Sequence, residues 1–192
     1  MKRSGLIMLR VVIIKMNLED CKSENLTPEQ EAWLDEHMDT IMEVCEEYGI
    51  LPSVLLGQMV YETNEAGWAT SDVYKNSHNL FGIKWTEGCG YGEYSGFRVY
   101  DSDEDSIRDY ARLLSKSGLY PGYMEGAKNW DYKQATQGLY DGPYCPDADY
   151  AKNVNSIIER YGFDKYDEVL NFYNFCNFIH INICLEISRY II

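Results

Sequence analysis

The chain's 192 residues allow one well-cored domain with terminal extensions and are too few for two full-sized domains. A hydrophobic fraction of 45%, with 17 Tyr, 6 Phe and 4 Trp, is that of a globular chain and excludes intrinsic disorder. The formal net charge of -14 argues against nucleic acid as a partner, because phosphates demand clustered Lys and Arg and no basic aromatic strip is present. The same charge opposes adsorption to an anionic surface, so attraction to such a surface would have to come from a neutral cleft or another module.

In chain order, Lys2-Arg3 and the run from Gly5 to Met16 resemble a secretory leader. Arg10 and Lys15 interrupt the apolar stretch and no small-residue cleavage site follows, so residues 1–26 are read as an N-terminal extension. Thr27, Pro28 and Gln30 form a capping-box start, and Gly49 sits where a helix ends. Between them Leu34, Met38, Ile41, Cys45 and Tyr48 make one apolar stripe, which predicts a helix to Tyr48. After Pro52, Ser53 is placed to cap a second helix through Val54, Leu55, Leu56, Met59 and Val60, apolar enough to be central and ending near Glu62.

Gly88, Gly90, Gly92 and Gly96 break any helix between Trp85 and Tyr100, so a small hairpin or irregular lobe is expected there. A helix follows from Ser102, with Asp105 at the capping-box position and Ile107, Tyr110, Ala111 and Leu114 inward. Another is predicted over Trp130 to Leu139, and another through Tyr150, Val154, Ile157, Ile158 and Tyr161 before Gly162. Residues 168–192 form an apolar tail carrying Asn171, Asn174, Asn177, His180, Asn182, Glu186 and Arg189. That is too polar for a plain membrane span, and an accessory helix or loosely ordered tail is expected.

Several chemistries lack their residues. The six cysteines, Cys21, Cys45, Cys89, Cys145, Cys176 and Cys184, show no C-x-x-C pair, so no zinc site is expected, and their redox state stays open. Asp101, Asp103 and Asp105 alternate as in a calcium loop, but Ser106 stands where the turn glycine belongs and Arg112 where the bidentate Glu belongs. A capped helix start accounts for them better. His37, His78 and His180 are isolated in sequence and no nucleophile motif accompanies them.

Glycosidic cleavage needs a carboxylic acid held protonated near neutral pH. Glu62 ends an apolar helix, follows Tyr61 and lies shortly before Trp68, surroundings that disfavour its ionised form. The segments Gln58-Met-Val-Tyr-Glu62, Glu65-Ala-Gly-Trp-Ala-Thr-Ser71 and Asn79-Leu-Phe-Gly-Ile-Lys84 together resemble the peptidoglycan N-acetylglucosaminidases of glycoside hydrolase family 73, flagellar and autolysin types included. The likeness continues through Phe97-Arg-Val-Tyr-Asp-Ser102 and Tyr144-Cys-Pro-Asp-Ala-Asp-Tyr-Ala151, and covers about Pro28 to Tyr166.

The resemblance implies a mainly helical (α+β), lysozyme-like domain over residues 27–167, with a small β lobe beside the cleft. It implies hydrolysis of the bond on the reducing side of N-acetylglucosamine in peptidoglycan by a monomer needing no metal or cofactor and acting at the cell wall, in a bacterium or in phage lysis. The general-acid role passes to Glu62. Thr63-Asn64-Glu65-Ala66 departs from the family's turn, and counting back from Trp68 selects Glu65 instead. The lobe carboxylate facing the acid would be Glu93, with Glu87 as competitor, and the Tyr lining the cleavage point would be Tyr144. Inverting, retaining and substrate-assisted routes all stay open.

Trp68, Trp85 and Tyr91 are candidates for the sugar-binding wall, Trp68 with core packing as its competing role. Asn79 and Phe81 are candidates for substrate contact or for tying the helix exit to the lobe. The rival readings are a muramidase or lytic transglycosylase of the same superfamily, and a wall-binding module without turnover.

Overall fold

The computed structural model describes residue 18, residues 20–63 and residues 68–189, with residues 177–189 described by their backbone alone. The leader-like run before Leu18 and the Glu65 alternative both lie outside the described residues. Helix α1 spans Pro28–Tyr48, α2 Pro52–Thr63 and α3 Asp72–Ser77. Strands β1 (Gly92–Tyr94) and β2 (Phe97–Val99) make the lobe. Helices α4 (Asp103–Lys116), α5 (Pro121–Lys128), α6 (Tyr132–Asp141), α7 (Tyr150–Tyr161) and α8 (Asp164–Arg189) complete the order. Among the described residues the fold is mainly helical with one small antiparallel sheet, as the sequence pattern predicts.

Helix α1 begins on the expected box: Thr27 accepts from the Gln30 N–H, the Gln30 side chain accepts from the Thr27 N–H, and Gly49 closes the helix at φ 65. Helix α2 is the hub, packed by α1, α6, α7 and α8, and Val54, Leu55, Leu56, Met59 and Val60 are all fully buried. Each such side chain contributes about 1.5–3 kcal/mol of transfer free energy. Gly57 lets α7 approach, since a Cβ there would stand 2.8 Å from Ile158 Cγ1.

Ser53 is not the cap of this helix. It lies inside the first turn that starts at Pro52, and donates from its N–H (2.8 Å) and its hydroxyl (2.5 Å) to the buried carboxylate of Asp167 on α8. The helix predicted from Trp130 starts at Tyr132: Asp131 is its cap, accepting from the N–H groups of Lys133 and Gln134, and Trp130 sits outside at φ 56. The C-terminal stretch is helical, continuing α8 through residue 168 to Arg189. Among the described residues no helix is long and apolar enough to cross a membrane.

Three further joints set the position of the lobe. The histidines that look isolated in sequence converge: His37 of α1 and His78 after α3 both pair with Asp103 at the start of α4, at 3.1 and 2.7 Å, and the Tyr74 hydroxyl donates to the same carboxylate. Asp109 of α4, itself buried, accepts from Tyr91 and Tyr100 and forms an ion pair with Arg98, fastening the outer face of the hairpin. The Leu80 N–H donates to the Ser106 hydroxyl, so the loop from Asn79 to Lys84 lies along the base of α4.

Candidate active site

Glu62 occupies the last turn of α2, partly exposed at the mouth of the core. Burial raises its carboxyl to about 7, against the opposing effects of a hydrogen bond from the Tyr150 hydroxyl and the charge of Lys84. An acid in this state still holds its proton near neutrality, which the sequence environment leads one to expect.

The loop after α3 lies against this carboxyl. Gly82, at φ 63, leaves room for it: a Cβ there would stand 3.0 Å from Glu62 Oε2. Two side-chain tethers act with the Ser106 hydroxyl to hold the loop. Asn79 donates to the carbonyls of Ile83 and Arg98 and accepts from the Ile83 N–H, while the Tyr144 hydroxyl donates to the Phe81 carbonyl at 2.8 Å. Lys84 then reaches over the Phe97 ring, its Nζ 3.5 Å from the ring centroid, at the edge of the lobe.

Beneath Glu62 lies a nest of tyrosines. Tyr144 packs against Tyr110, Tyr120 and Tyr150, and Phe81 stacks on Tyr110 with centroids 4.0 Å apart. Tyr61 meets Tyr150 edge-on. Burial, then the neighbouring Tyr150 and Glu62, holds the Tyr144 phenol well above its ordinary value, so at neutral pH it is a donor and no base.

Trp68, Asn79 and Phe81 take the structural one of the two roles expected of each. Trp68 is core: buried, it packs edge-on to Trp33, Tyr161 and Phe163 and cannot line a sugar cleft. Asn79 and Phe81 are likewise buried, and the amide of Asn79 is committed to loop backbone, tying the loop to the lobe. Trp85 stays on the surface with its indole N–H donated to the Tyr91 carbonyl, and Tyr91 gives its own hydroxyl to Asp109.

Glu93 is exposed on β1, opposite Arg98, and accepts from the Gly96 N–H of its own hairpin. Residues directly paired across strands share a face. Arg98 pairs with Asp109 and its Nε also donates to the Lys84 carbonyl, while Phe97 reaches the Gly82 loop, so Glu93 shares the Arg98 face of the hairpin. Glu87 is exposed in the preceding turn. The structure therefore joins Glu62 with Tyr144, while Glu93 and Glu87 are exposed on the lobe. Sequence reading missed Gly82, Lys84 and Tyr150 as neighbours of the acid. The first two lay inside the quoted loop motif, and Tyr150 looked like an ordinary residue of a helix's inner face.

Residues 38–163 match the family model described as mannosyl-glycoprotein endo-beta-N-acetylglucosaminidase. The chain is 27% identical over 175 residues to the exo-glucosaminidase LytG of Bacillus subtilis, covering 79% of this chain and 58% of that protein. It is 29% identical over 161 residues to a probable N-acetylmuramidase of Lactococcus lactis, covering 73% of this chain and 36% of that one. The catalytic domain of the autolysin Auto from Listeria monocytogenes superposes with a TM-score of 0.58 at 29% identity, covering 74% of this chain and 89% of that domain.

Proposed function

The chain belongs to the mannosyl-glycoprotein endo-beta-N-acetylglucosaminidase family, and on that premise we propose that it hydrolyses the β-1,4 bond between N-acetylglucosamine and N-acetylmuramic acid in bacterial peptidoglycan, with Glu62 as general acid. One observation carries the assignment: the Glu62 carboxyl, in the last turn of the buried central helix, lies against the Gly82 loop, and burial there raises it to about 7. In the reaction Glu62 gives its proton to the glycosidic oxygen as the bond to the anomeric carbon breaks. Water delivers a hydroxyl to that carbon, and its remaining proton replaces the one Glu62 gave up.

Tyr144 serves as a positioning residue in this reading. Its hydroxyl is spent on the Phe81 carbonyl, which supports the Gly82 loop against Glu62. Trp85 and Lys84, both exposed, are the side chains best disposed to meet sugar at the rim. The likeness to a probable N-acetylmuramidase favours one second reading, cleavage of the alternate glycosidic linkage.

Digestion of purified peptidoglycan followed by borohydride reduction separates the two. Reduced N-acetylglucosamine ends support the proposal, whereas reduced muramic ends move the chain to the muramidases. Glu62→Gln lowers release by about 10²–10⁴-fold in the proposed mechanism, and Glu93→Gln, whose carboxylate is held by its own hairpin, has the smaller effect. An equal loss in both variants would give the lobe carboxylate a direct part in the chemistry. No release by the wild type, with binding retained, would leave a wall-binding module.

A further inference from the structure

We propose that Gln58, which substrate cannot reach, orients the Glu62 carboxyl from behind through a directed hydrogen-bond chain, Tyr110 to Gln58 to Tyr150 to Glu62. The inference rests on the general-acid reading of Glu62 and deepens it. Gln58 lies one helical turn before Glu62, on the same side of α2, and is fully buried. The Tyr110 hydroxyl donates to Gln58 Oε1, and Gln58 Nε2 donates to the Tyr150 hydroxyl at 2.5 Å.

The chain runs one way. An amide oxygen only accepts and an amide nitrogen only donates, so once Tyr110 has given its proton to Gln58, the Gln58 nitrogen faces Tyr150. The Tyr150 oxygen is then an acceptor on that side, and its single proton is left for the Glu62 carboxyl, to which it is hydrogen-bonded. Both phenols are fixed by packing: Tyr110 is stacked on Phe81, and Tyr150 is wedged between Tyr61 and Tyr144. Burial holds both well above the ordinary phenol range, so neither loses its proton at working pH.

Two consequences follow for the acid. One carboxyl oxygen is occupied by Tyr150, so the transferable proton resides on the other. When that proton leaves, the Tyr150 bond becomes charge-assisted and strengthens, which stabilises the state formed in the reaction more than the state before it. A merely structural Gln58 would satisfy two buried hydroxyls and leave the titration of Glu62 untouched.

The test uses the full chain with Tyr150→Phe, Gln58→Met and Tyr110→Phe. It reads thermal stability, the pH dependence of kcat/KM, and the Glu62 carboxyl midpoint by 13C NMR without substrate. For Tyr150→Phe the midpoint and the basic limb move up together by about one pH unit and kcat falls about tenfold, the scale of one charge-assisted bond. Gln58→Met shifts them the same way by less, and Tyr110→Phe by least. A folded Tyr150→Phe with the wild-type midpoint overturns the proposal, and so does a Gln58→Met that lowers stability alone. If Gln58→Met does not fold, the two tyrosine variants decide. Should the wild type release no sugar from peptidoglycan, the hydrolase reading fails while the NMR midpoints still decide the chain.

Discussion

On its helical side Glu62 is met by apolar burial: α2 is packed by four helices, and the tyrosine nest closes beneath the carboxyl. On its lobe side it is met by a glycine-bearing loop that adds polar tethers, the Asn79 amide and the Tyr144 and Ser106 hydroxyls, to the buried side chains of Leu80, Phe81 and Ile83. Apolar burial is spread over many contacts and tolerates one loss as a loss of stability. A polar tether is local, so its removal displaces the group it holds. The helical side should therefore set the stability of the protein and the protonation of its acid, and the lobe side the geometry of the cleft.

The largest expected effect is chemical. Glu62→Gln lowers kcat by about 10²–10⁴-fold, the range for a general acid, without lowering the melting temperature. Reducing-end release and a thermal melt check both halves, and a variant within tenfold of wild type would remove Glu62 from the chemistry.

The next contrast pits the two sides against each other. Leu55→Ala in the fully buried helix costs about 2–5 kcal/mol of stability and leaves the activity of the folded fraction unchanged. Asn79→Ala strips three hydrogen bonds from the loop, costs about 3 kcal/mol, and also lowers kcat/KM of the folded fraction. Urea titration with parallel assays decides it, and equal activity in both would erase the distinction. A smaller lesion on the same side is Gly82→Ala, at a left-handed position with Glu62 Oε2 3.0 Å from the new methyl. It costs about 1–2 kcal/mol and, by moving the acid, about tenfold in kcat.

Asp167 sharpens the helical half. Burial raises its carboxyl to about 7 from 3.8, opposed by its bonds from Ser53. A folded-state value above the unfolded one contributes stability that is complete below pH 3.8 and lost as pH rises through about 7. Melting temperature should thus fall between pH 4 and 8 by this route, and Asp167→Asn should flatten that part of the profile. The smallest effect is assigned to Lys84→Met: losing the cation that lowers Glu62 moves the basic limb of kcat/KM slightly upward, a shift read by the same assay series. A downward shift would place Lys84 elsewhere in the mechanism.

Much of this was legible in the sequence because the signals were local. The Thr27 to Gln30 box, the glycines after Tyr48 and Tyr161, and the unbroken apolar run before Glu62 each state their structure within a few residues. The acid's environment followed from that run. The helix Asp72–Ser77 is too short to show a period, and Pro121–Lys128 is interrupted by Gly122 and Gly126, which exist so that α5 and α6 can touch backbone to backbone. Ser53 and His78 look like a cap and an isolated side chain until Asp167 and Asp103 arrive from distant segments. The roles of Trp68 and Glu93 stayed open for a related reason: whether an aromatic or a carboxylate faces a cleft is settled by tertiary packing and strand register, which one sequence does not carry.

The central claim is that packing keeps Glu62 protonated to near neutral pH so that it can serve as the acid. The pH dependence of kcat/KM on peptidoglycan, from pH 5 to 9, tests it most directly. The account predicts activity lost as pH rises through a limb near 7, the value that burial gives Glu62. A limb already complete by pH 5, where an ordinary exposed carboxylate has given up its proton, would contradict it.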